Sequence, residues 1–178
     1  MRIMTTLLLS AALLAGCASI PLSTMARMSS FDERSLIQLD PAQIRVRVAV
    51  PVGFEVDIEK TKLEIDLHDE AGNKRHGEFA LSRLATTRSQ RPGGFLRADV
   101  AANQYDLALT PESMKRLREL QAYAASHALK SYEMRVGAEL GKVPEDAKAL
   151  RFWADVKLSD RDAYMTLFDG AEIVLKRS

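Results

Sequence analysis

The chain has one cysteine in 178 residues, at position 17. A lone thiol closes no disulfide within the chain and supplies no zinc site of the cysteine type, so packing and hydrogen bonds must hold the body together. Histidine is scarce as well. His68, His76 and His127 are the only three, and no two stand at a metal-binding spacing. Neither sign of charge prevails: Lys and Arg number 25 against 24 Asp and Glu. That balance makes the chain a poor partner for nucleic acid or another polyanion by bulk charge. The apolar run from Ile3 to Leu14 is about twelve residues long, where a membrane-spanning helix needs roughly 20. No Ser sits in a G-x-S-x-G elbow and no S-x-x-K motif occurs. Arg91-Pro92-Gly93-Gly94 lacks the Lys-Ser/Thr ending of a phosphate-binding loop.

What is present begins at the amino terminus. One positive charge (Arg2) precedes the apolar run, which closes on Leu14-Ala15-Gly16-Cys17. A short apolar segment ending in small residues has the form of a processed leader. The four closing residues resemble the lipobox of bacterial lipoproteins. The resemblance implies cleavage between Gly16 and Cys17, a diacylglycerol on the Cys17 thiol and an acyl chain such as palmitate on the new amino terminus. Two or three acyl chains at ~0.8 kcal/mol per buried methylene hold a soluble domain at a membrane almost permanently. The family's sorting rule reads the residue after the cysteine. Ala18, followed by Ser19, implies the outer membrane, facing the periplasm, in an organism that has one.

The expected organisation is therefore a signal peptide at 1–16, a lipidated Cys17 with a tether to residue 40, and one β-rich domain over 41–178. The leader carries only one charge, so the mature chain is formally neutral. In the tether, Met25, Met28, Phe31 and Leu36 can dock on the body. Asp40-Pro41 marks the boundary, because proline biases the residue before it to extended geometry.

Alternation with a period of two dominates the body. It runs through Ile44 to Val50, Phe54 to Ile58, Leu63 to Leu67, Tyr105 to Leu109, Tyr132 to Leu140 and Leu150 to Leu158. Gly72-Asn73 marks a turn between Asp69 and Arg75, with a returning strand over 77–84 and a Gly- and Arg-bearing loop over 86–94. Tyr164 to Phe168 and Ala171 to Leu175 read as a hairpin about Asp169-Gly170. One helix is expected over 111–129: Thr110 caps it, Pro111 opens it, and Met114, Leu117, Leu120, Ala124 and Ala128 recur on one face. These elements predict a mainly β fold, an antiparallel sandwich or strongly curved sheet of about eight or nine strands carrying one amphipathic helix.

Candidate chemistry is sparse. His68 and His76 can approach each other across their hairpin, though two exposed hairpin residues is the plainer reading. Tyr123 and His127 share a helix face, more often a packing pair than a dyad. Glu55, Asp57, Glu59, Glu64 and Asp66 fall on polar strand faces, as solvated carboxylates do. Two features point to interaction instead. Lys74, Arg75, Arg83, Arg88, Arg91 and Arg97 stand against a single acid, Glu78. They form either a patch for anionic headgroups or an acidic partner, or a basic loop offset by its acidic neighbour. Trp153 is either an exposed interface residue or an indole buried beneath the helix. The expected function is a non-enzymatic binding or scaffold module of the envelope. It would have no metal and no cofactor beyond its covalent lipid, and an envelope protein or wall component as partner. Trp153, Arg88, Arg91 and Arg97 are its candidate contacts. A carrier of an apolar ligand, predicting an internal cavity, and an envelope hydrolase are the alternatives.

Overall fold

The computed structural model describes residues 32–93 and 98–175. Gly16 and Cys17, the docking candidates Met25, Met28 and Phe31, and Arg97 lie outside the described residues. The seven strands form one antiparallel sheet: β1 (Arg45–Pro51), β2 (Glu55–Asp69), β3 (Lys74–Arg91), β4 (Val100–Leu109), β5 (Leu129–Lys142), β6 (Ala149–Lys157) and β7 (Met165–Val174). Their order across the sheet is β5-β2-β3-β4-β1-β6-β7. The sheet curls into a half-barrel, and the described residues form no second layer of strands. The mainly β expectation holds in its curved-sheet form.

Three local expectations are corrected, and the first and third explain why seven strands replace eight or nine. First, 55–69 is one strand. Between Asp57 and Lys62 it takes five steps while β5 takes two, from Glu139 to Gly137. The surplus residues bulge outward, and the buried Thr61 hydroxyl donates to the Asp57 carbonyl across the bulge at 2.7 Å. Second, residues 86–91 are strand rather than loop, because β3 pairs with β4 as far as Arg91↔Val100. Third, Asp169-Gly170 makes no hairpin. β7 runs through it and pairs with β6 on both sides, Val156↔Met165 at one end and Ala149↔Val174 at the other. A continuous ladder to β6 satisfies more backbone groups than a short isolated ribbon. Gly170 keeps the positive φ (+67°) that a turn would have used, but spends it on a bulge opposite Trp153.

The inner face of the half-barrel holds the core. Val46, Val48 and Val50 of β1 join Leu63, Ile65 and Leu67 of β2, Phe79 and Leu81 of β3, and Leu107 and Leu109 of β4. Helix α2 (Pro111–Ser126) lies on this face, burying Leu117, Leu120 and Ala124. Helix α1 (Glu33–Gln38) precedes it in the chain. As expected, the Thr110 side chain caps α2 and Pro111 opens it; the helix stops at Ser126 rather than 129. Gly77 lets helix and strand approach: a Cβ there would stand 2.7 Å from the Phe79 ring and 3.3 Å from Leu120.

The described end of the expected tether belongs to the body. Asp32 caps α1, and Asp40 caps a 3-10 turn (Pro41–Gln43). Leu36 is fully buried, and the Gln121 side-chain amide of α2 donates to the carbonyls of Leu36 (2.9 Å) and Leu39 (2.8 Å). No helix of the described residues is long and apolar enough to cross a membrane.

Candidate functional site

The outer face of the sheet carries a cross-strand network built on small residues. Ala49 of β1 and Ala102 of β4 form a low floor on which Trp153 packs, 1% exposed. Trp153 is therefore no exposed contact. Its burial does not come from α2 either, because alternation puts the indole on the face opposite the helix. Gly170 makes room for it: a Cβ there would stand 3.4 Å from the indole nitrogen. That nitrogen has no hydrogen-bond partner among the described residues.

Arg91 crosses the same floor. Its guanidinium donates to Gln104 Oε1 on β4 at 3.0 Å and to Asp155 Oδ2 on β6 at 3.3 Å. Thr166 of β7 donates to the other Asp155 oxygen at 2.8 Å. Gln104 donates to Asp106, which also accepts from Arg47 at 2.9 Å, and the Arg47 guanidinium sits 3.8 Å from the Tyr164 ring centroid. One chain of charge-assisted bonds thus ties β3, β4, β1, β6 and β7 together. The side chains of Arg91 and Asp155 are 16% and 5% exposed. Arg91, expected to be free for a partner, is a structural residue.

Arg88 has the opposite surroundings. β2 pairs with β3 only between His68↔Lys74 and Lys62↔Ala80. Beyond Ala80 the β2 bulge carries that strand away, and β3 pairs with β4 alone from Leu81 to Arg91. Ser82 to Arg88 are all exposed. This stretch is an open strand edge in the middle of the sheet order, separate from the terminal edges at β5 and β7. Arg83 lies opposite Leu107 and Arg88 opposite Asn103, which places both on the inner-face side of the ribbon. Neither has an ionic partner among the described residues. Sequence analysis singled out Arg88 but not the edge. The signal available was the absence of acids from Phe79 to Ala98.

The histidines do not converge. His76 lies opposite Asp66 in the ladder, and His68 lies opposite Lys74. His76 Nδ1 is 2.7 Å from Asp66 Oδ1, and Nε2 is 3.4 Å from Glu78 Oε1. Hydrogen bonds to Asp66 and then Glu78 push the His76 pKa up. The bond to His76, aided by the charge of Arg135, holds the Asp66 carboxyl below its ordinary value. Lys62 donates to Glu78 at 2.6 Å, completing a solvated lattice of alternating charge. His76 also borders a shallow groove of about 280 Å³ with Arg75, Arg116 and Glu119, lined by no hydroxyl or thiol. His127 stacks on Tyr123 with ring centroids 4.0 Å apart, and Tyr123 donates to Asp69 at 2.9 Å. That pair closes the end of α2 onto the β2–β3 turn. Among the described residues no group of three or more His, Cys, Asp or Glu is placed to hold a metal.

A second groove, about 530 Å³, opens at the rim between the α1 segment and the β6–β7 connection. Leu39, Leu158 and Met165 line it together with Asp40, Gln43 and Arg161. Val156, Leu158 and Met165 of the core cluster line its floor, and it is open to solvent at the rim.

No family model matches the chain, and no curated protein or solved structure matches it either.

Proposed function

We propose that the chain is a lipid-anchored binding module of the bacterial cell envelope. Cys17 carries the anchor, and the half-barrel holds a partner protein or wall component near the membrane. Ala18 and Ser19 place it, in this reading, on the outer membrane facing the periplasm. The observation that carries the reading is the open β3 edge from Ser82 to Arg88. Unpaired backbone at a sheet edge is a template for another chain, and this one is the longest fully exposed stretch of β3, which pairs with β2 up to Ala80 and with β4 from Leu81. The filled inner face supports a module that binds at its surface over a carrier that encloses its ligand.

The test has two parts. Cells supplied with labelled palmitate should yield labelled full-length protein and unlabelled Cys17→Ser protein. Cross-linking in the intact envelope should recover a discrete partner with the anchored form and much less with Cys17→Ser. Label on both forms, or on neither, would remove the anchor. Identical recovery from both would remove the dependence of binding on it.

A further inference from the structure

Resting on the binding-module reading, we infer that the β3 edge takes an extended, acidic segment of another protein as an added strand. Strand addition needs an edge that is free, long enough and open to side chains on at least one face. The segment Ser82 to Arg88 meets all three conditions: it pairs with β4 on one side only, and every residue in it is exposed. Thr86 and Thr87 at its centre are β-branched and favour extended backbone.

Charge selects the occupant. Arg83 and Arg88 flank the edge on one face, have no ionic partner among the described residues, and have no acid near them in the strand. A second copy of this chain is a poor fit. Laid antiparallel across Ala85 and Thr86, it would set Arg83 of each copy opposite Arg88 of the other, and like charges across a ladder destabilise it. An incoming strand with Glu or Asp at alternate positions meets both arginines instead. Anionic lipid headgroups share that charge but would leave the edge backbone groups unpaired, so the open ladder favours a peptide.

The experiment uses the full lipidated chain in detergent and a nine-residue peptide alternating Glu with Val and Thr. Fluorescence anisotropy reads its binding beside a Lys-for-Glu version and a version N-methylated at every second residue. The Glu peptide should bind more tightly than the Lys peptide by roughly tenfold, the worth of two cross-strand pairs changed from attraction to repulsion. N-methylation should abolish most of the binding, and R83E/R88E should reverse the preference. Equal binding of the N-methylated peptide would overturn strand addition. Equal binding of the Glu and Lys peptides would overturn the charge selection. Binding to phosphatidylglycerol vesicles but to no peptide would reassign the patch to lipid, and a dimer dissolved by R83E/R88E would reassign the edge to a second copy. Envelope cross-links unchanged by R83E/R88E would contradict this inference while leaving the binding module itself standing.

Discussion

Arg88 and Arg91 stand three residues apart on one strand and do opposite things. Arg91 turns to the outer face, where Ala49 and Ala102 leave room for a guanidinium to reach Gln104 and Asp155. Arg88 lies on the side where β2 has left the sheet, and has no ionic partner among the described residues. The pairing at Arg91 is nearly buried, so removing one partner leaves a charge without compensation. Asp155→Ala should lower stability by about 3 kcal/mol in urea unfolding; a loss below about 0.5 kcal/mol would mark the pair as an ordinary surface bridge. His76 makes a prediction of a different kind. Its pKa is raised in the fold by Asp66 and Glu78; Lys62 and Arg135 pair with those carboxylates, and Arg75, Arg116 and Glu119 share the groove that His76 borders. A raised folded-state pKa contributes stability below the ordinary histidine value of 6.5, and the contribution is lost as pH rises through the folded value. The melting temperature of the parent should therefore fall, relative to His76→Gln, as pH rises from about 6 to about 8. Parallel curves for the two proteins would contradict the assignment.

Elements bounded by local chemistry were legible in the sequence. Thr110 and Pro111 announced the start of α2, and Gly72-Asn73 announced the β2–β3 turn, because cap and turn residues act over three or four positions. Continuity of strands was not legible. Asp169-Gly170 carries the sequence of a tight turn, yet β7 passes through it because β6 offers a ladder on both sides. The β2 bulge and the strand course of 86–91 are likewise set by partners far along the chain. The outer-face network has the same cause: Arg91 and Asp155 are 64 positions apart, and no periodicity announces that Ala49 lies between them. Alternation left Trp153 open between exposure and burial beneath the helix, because its polar neighbours Arg151, Asp155 and Lys157 share that face while the small residues it packs on, Ala49 and Ala102, sit on other strands. One element was legible only in part: Leu36 was a docking candidate and is buried, but neither the helix around it nor its tie to α2 was foreseen. The α1 segment is tied to α2 by Gln121, whose amide serves two carbonyls. Gln121→Ala should cost about 1–2 kcal/mol and speed amide exchange in Glu33–Gln38 ahead of the sheet. Exchange that rises uniformly would mean that this segment is not separately held.

At the scale of the whole molecule, a half-barrel is a compromise between a closed barrel, which has no edges, and an open sheet, which has two. Here the curl fills its inner face with side chains and one helix, and the β2 bulge opens an additional edge within β3. The proposed function puts binding at that edge and the anchor at Cys17. Fifteen positions separate Cys17 from Asp32, so the proposed anchor would keep the body within at most roughly 50 Å of the bilayer even with that segment fully drawn out. Under that proposal a partner would present its segment close to the membrane. The most direct measurement places a photo-cross-linking residue at Thr86 in the full-length protein in its native envelope, with the same residue at Lys115 on the exposed side of α2 as comparison. The account predicts one discrete protein adduct at Thr86, joined through a segment richer in acid than in base, absent at Lys115 and lost in R83E/R88E. Equal adducts at both positions, or none at Thr86 under conditions that capture another envelope complex, would contradict it.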